Sequence, residues 1–137
     1  MKKILFILLF AAPLFAIAQE NLIVRSRTQV ADHFKKIKTP LYLTDNSGKL
    51  ATDEYKTKTD GDITCFFNKA NVCKKEMDVK TFASMAQIKA NLNRDWLKTG
   101  DNIWTNKAKT VKVHLIPVEA LGQLYVMFAA FDEDLGK

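Results

Sequence analysis

The segment at residues 109–132, KTVKVHLIPVEALGQLYVMFAAFD, limits what this chain can fold into more than any other. Val111, Val113 and Leu115 alternate with Lys112 and His114, the pattern of a strand with one apolar and one wet face. The following arm has no wet face. Leu124, Val126, Phe128 and Ala130 point one way, while Tyr125, Met127, Ala129 and Phe131 point the other. Between the arms Gly122 can take a positive φ, and Pro117 places the first arm near a sheet edge or a bulge. The segment therefore reads as a β-hairpin whose second arm is a central strand or a contact surface.

Residues 1–18, MKKILFILLFAAPLFAIA, have the three parts of a secretory signal: two lysines, a short apolar run and an Ala-Ile-Ala cleavage site. The apolar run falls short of the roughly 20 residues that span a bilayer. The expectation is export to the periplasm or the medium, with residues 19–137 as one domain and no stable membrane insertion after cleavage. These 119 residues carry a net charge of +4, because the first 18 hold two of the 21 basic residues and none of the 15 acidic ones. The lysines are spread along the chain instead of gathered on one element with aromatic residues between them, so no nucleic-acid partner is expected.

Cys65 and Cys73 both fall in the exported part, where an intrachain disulfide is the expected state. Pairing Phe66 with Val72 would set Cys65 opposite Cys73 across a hairpin, at roughly 4.5–5.5 Å between Cα atoms. A metal site would need further ligands, and only His33 and His114 are on offer, each isolated in sequence. No metal and no cofactor is predicted.

Ser26 followed by Gln29 has the form of a capping box, and Val30, Ala31, Phe34 and Ile37 recur at helical spacing up to Pro40. Residues 41–44 and 49–50 read as strands about the Asp45-Asn46-Ser47-Gly48 turn. Asp45, Ser47, Asp53 and Glu54 do not meet calcium-loop spacing: Lys49 stands at a ligand position and Lys56 at the closing one. A second turn at residues 57–62, containing Asp60-Gly61, leads into strands at 63–67 and 72–79. Asp78 can cap a second helix to about Leu97, whose apolar residues cover over half the circumference and predict deep packing, with Lys98-Thr99-Gly100 ending it.

No internal repeat is visible. The order predicts an α+β fold, an antiparallel sheet of five to six strands covered by two helices and stapled by one disulfide. Phosphate loops, G-x-S-x-G and H-E-x-x-H are absent. The function this supports is that of a small exported binding protein offering an apolar cavity or surface to a small molecule or a protein, or to a second copy as a homodimer. Its contact residues would be Tyr125, Met127 and Phe131, with Lys112 and His114 as polar neighbours. Two alternatives stand beside it. One is a hydrolase using His114 with an acidic residue. The other is an inhibitor or immunity-type partner of a secreted enzyme, with residues 68–71 as a rigid hairpin tip.

Overall fold

The computed structural model describes residues 22–58 and 61–133, so the expected signal segment, and Asp60 in the second turn, lie outside it. Helix α1, Arg27–Lys36, is followed by β1 (Leu41–Asp45), β2 (Ala51–Tyr55), β3 (Ile63–Phe67) and β4 (Cys73–Thr81). A 3₁₀ turn, Phe82–Ser84, leads to helix α2, Met85–Asp95, then β5 (Leu97–Gly100), β6 (Ile103–Thr105), β7 (Val111–Val118) and β8 (Gln123–Ala130). All eight strands form one antiparallel sheet in the order β1-β2-β3-β4-β8-β7-β6-β5.

That order has an internal symmetry. A helix and a four-strand meander occur twice, and the last strands of the two meanders, β4 and β8, meet antiparallel at the centre. The first strands, β1 and β5, become the two edges. The two halves share a topology that the amino-acid sequence does not repeat.

Cross-strand partners fix the faces, since directly paired residues point to the same side. On one face, Asp53, Cys65, Glu76, Phe128, Val113 and Trp104 form a continuous row, and all are buried. Both helices lie on this side. Phe34 of α1 stacks on Tyr55 with ring centroids 3.9 Å apart, and Trp104 Nε1 donates to Asn93 Oδ1 of α2 at 2.9 Å. Trp96, at the end of α2, meets Phe128. The other face has no helix among the described residues.

Four expectations are corrected. The sheet has eight strands instead of five to six, the additional pair being β5 and β6, where Lys98-Thr99-Gly100 continues as an edge strand. The second helix begins at Met85, not Asp78, because residues 78–81 stay in the ladder as far as Thr81 opposite Gln123. That helix is not deeply packed, since Leu92 is its one buried residue. Cys65 and Cys73 are free thiols. The register explains the last point: a bulge between Phe66 and Phe67 sets Phe67 opposite Cys73, and Cys65 instead faces Glu76.

Local signals shape the entry and the turns. The capping box is present, with the Gln29 amide donating to Ser26 Oγ at 3.2 Å and the Ser26 amide donating to Gln29 Oε1 at 3.0 Å. Gly122 has φ 62°, which a side chain would disfavour, and so reverses the chain between β7 and β8. Leu22 and Ile23 are buried beside the β3–β4 turn, where the Val24 amide donates to Cys73 O at 2.8 Å.

The first half is tied together at Asp53, which is 4 % exposed and receives Arg27 Nη2 at 2.5 Å, Arg27 Nε at 2.8 Å and Thr44 Oγ1 at 2.9 Å. Burial alone would raise the carboxyl's pKa, but the hydrogen bonds from Arg27 and Thr44 outweigh it and hold the group below its ordinary value. Asp53→Ala removes the counter-ion of an arginine whose side chain is still 24 % exposed, so the expected loss is about 2 kcal/mol, read as a lower urea midpoint. Because the folded pKa is depressed, this contribution is present above the ordinary carboxyl pKa and is lost as pH falls through the folded value.

Candidate functional site

Apart from the exposed edge strand β1, with Leu41, Tyr42 and Leu43, the sheet presents large side chains without a covering helix on the face opposite α1 and α2. Its central row runs Thr64, Met77, Met127, His114 and Ile103 across β3, β4, β8, β7 and β6. A neighbouring row holds Val79, Tyr125 and Ile116. On the other side of the central row lie Phe66, Lys75, Ala129, Lys112 and Thr105. Met77, Met127, Val79, Tyr125, Ile116 and Phe66 are all half-buried, which is what neighbouring side chains alone can shield.

This face carries the contact residues expected from the sequence. Tyr125 and Met127 stand two apart on β8, and Lys112 and His114 stand two apart on β7 beside them. Phe131, just past the end of β8, is 48 % exposed and lies under the Lys112 ammonium, 6.0 Å from its ring centroid. The strand therefore resolves its two apolar faces in different ways: Leu124, Val126, Phe128 and Ala130 go under the helices, and Tyr125 and Met127 go to the open side. Met77, Val79, Phe66 and Ile116 join them, in addition to the residues expected from the sequence. Ile116 keeps the two-residue parity of Lys112 and His114, a usable signal, whereas Val79 falls inside the stretch read as helical and Met77 immediately precedes it.

The charges on this face are one-sided. From β3 to β6 the paired positions that share it present Lys75, Lys112 and His114, and no carboxylate. Glu54 is in the same row as His114 but four strands away, about 19 Å at ordinary strand spacing. No acid on this face therefore meets His114. Burial lowers the His114 pKa, leaving the ring neutral at pH 7, and its Nδ1 is buried without a hydrogen-bond partner. The hairpin tip at residues 68–71 is tied by Asn68 Oδ1, which accepts from the Ala70 and Val72 amides at 3.0 Å each. It sits against the start of α1, where the Arg27 amide donates to Asn71 O at 2.8 Å.

Two clefts lie elsewhere. One of about 330 Å³ is lined by Val79, Lys80, Ser84, Ile88 and Gln123, among others, near the end of the β4–β8 seam. Another, of about 470 Å³, is bordered by Arg27, Thr28, Leu41, Thr44 and Asp53 beside α1. None of Tyr125, Met127, Phe131, Lys112 and His114 lines either cleft. Among the described residues no group of three or more His, Cys, Asp or Glu could hold a metal ion, and no helix is long and apolar enough to cross a membrane.

Beneath the open face, on the helix side of β4, Glu76 and Asp78 are fully buried two residues apart. Burial, then the neighbouring Asp78 and the Cys73 thiol, push the Glu76 carboxyl well above its ordinary range, and neither of its oxygens makes a well-formed hydrogen bond. The Cys65 thiol is also pushed up, by its hydrogen bond with the diagonally placed Cys73 thiol and then by burial. This cluster has no route to solvent and belongs to the core. No protein-family model, no curated protein and no solved structure matches the chain.

A raised folded pKa means the native state keeps a proton that the unfolded chain releases. Stability therefore falls as pH rises above the ordinary glutamate value of about 4.3 towards the folded value. Glu76→Gln, which cannot ionise, is expected to flatten that decline in melts taken from pH 5 to 9. An unchanged slope would show that Glu76 is charged in the folded protein.

Proposed function

We propose that this is a small exported binding protein that takes up a protein partner on the open face of its sheet. The observation that carries the reading is the separation of β8 into a helix-covered side and an uncovered side bearing Tyr125 and Met127. A sheet face with aromatic and methionine side chains at its centre has the composition of a protein interface more than of an ordinary solvated surface. A surface is favoured over a cavity because Tyr125, Met127, Ile116 and His114 are spread over adjoining strands on one side of the sheet. Binding is favoured over hydrolysis because His114 has no acid beside it on its face. Export is supported by the signal pattern in residues 1–18.

Tyr125→Ser and Met127→Ser test this directly. Each is expected to cost less than about 1.5 kcal/mol, as befits a half-covered side chain, against about 3–5 kcal/mol for Phe128→Ala on the buried side of the same strand. Each should also reduce retention of a partner from the native envelope or medium at least about tenfold, as expected of an interface anchor. If the two serine variants unfold as readily as Phe128→Ala and the wild-type chain retains nothing, these residues are simply core.

A further inference from the structure

The open face also specifies what kind of surface it can meet. Of the charged and titratable residues on β3, β4, β8, β7 and β6, the acids Glu76 and Asp78 are turned to the helix side together with Lys80 and the Cys65 and Cys73 thiols, while Lys75, Lys112, His114 and Tyr125 are turned to the open side. Lys75 is 7 % exposed and acts mainly through its field, so Lys112, half-buried and poised over Phe131, is the available cation.

We infer that the partner is a protein whose contacting surface is acidic, with a carboxylate set against Lys112 beside Phe131 and apolar side chains seated on Met127, Tyr125 and Ile116. This rests on the binding reading above. Charge complementarity weighs against the main competitors. A second copy docked with its two-fold axis near Lys75 and Lys112 would set lysine against lysine, which disfavours that arrangement. An anionic membrane is attracted by clusters of about four to eight basic residues, and this face has two lysines. A protein with acids around an apolar centre matches both the lysines and the methionine and aromatic rows.

The test is photo-crosslinking in the cells that make the protein, using the full chain with a benzophenone amino acid at Met127. A parallel label at Lys89, on the helix side, gives the background. Adducts are identified by mass spectrometry and compared with the same label in Lys112→Glu and Lys112→Gln chains whose fold is checked by circular dichroism. The expected result is a protein adduct whose crosslinked segment carries Asp or Glu. It should fall about threefold in Lys112→Gln and at least tenfold in Lys112→Glu, the latter about 1.4 kcal/mol of binding. A protein adduct indifferent to both substitutions would leave the face a binding site but overturn its acidic preference. Adducts to lipid, or to a second copy of this chain, would overturn the proposal in favour of those occupants. No adduct above the Lys89 background would remove the binding reading itself.

Discussion

The antiparallel ladder between β4 and β8 is the interaction on which the rest of the molecule depends. Its pairs run from Lys75 with Ala129 to Thr81 with Gln123, and they join two meanders that would otherwise each end in an open edge strand. By placing both strands at the centre, this ladder gives each of them two neighbours. It also decides which residues are buried, because a slip of one residue would turn Glu76 and Asp78 to the open side and Met77 and Val79 under the helices. Register thus sets the core and the open face together.

The division of side chains follows from the number of helices. Two helices of 10 and 11 residues cover one side of an eight-stranded sheet, so the other side has no second layer among the described residues. The covered side holds Trp104, Phe128, Leu115, Leu124 and Phe67. It also holds Glu76, Asp78 and Asp53, an expensive choice that is offset at Asp53 by Arg27 and at Glu76 by retention of a proton. With these acids turned inward, the open side is left basic as well as apolar. The charge pattern of the proposed interface is in this sense a by-product of how the core is built.

What the sequence disclosed was whatever depended on neighbours along the chain. Ser26 and Gln29 cap α1 through contacts three residues apart, and the alternation from Val111 to Leu115 marks β7 without any knowledge of its partners. Tyr125, Met127, Lys112 and His114 could be grouped because two-residue periodicity places them on one side of adjoining strands. What stayed hidden depended on long-range pairing. Residues 78–81 suit a helix start, yet pairing with β8 and β3 holds Asp78 and its neighbours extended. Lys98 and Gly100 resemble a helix terminus because nothing local announces that β6 will pair with them. Cys65 and Cys73 suit a disulfide by spacing, but the Phe66/Phe67 bulge moves one of them out of register with the other. Met77 falls within the stretch read as a strand, residues 72–79, but its place opposite Met127 depends on a pairing with β8 that nothing local announces.

Hydroxyl-radical footprinting of the isolated chain, read residue by residue along β8, would test the two-sided sheet most directly. The account predicts alternation within a single strand: Tyr125 and Met127 labelled readily, with Leu124, Val126 and Phe128 protected. Met77, opposite Met127 on β4, should be labelled as well. Uniform protection of both sets would mean that the open face is covered by this chain itself, and labelling of Leu124 and Phe128 would mean that the register, and with it the contact face, is different from the one described.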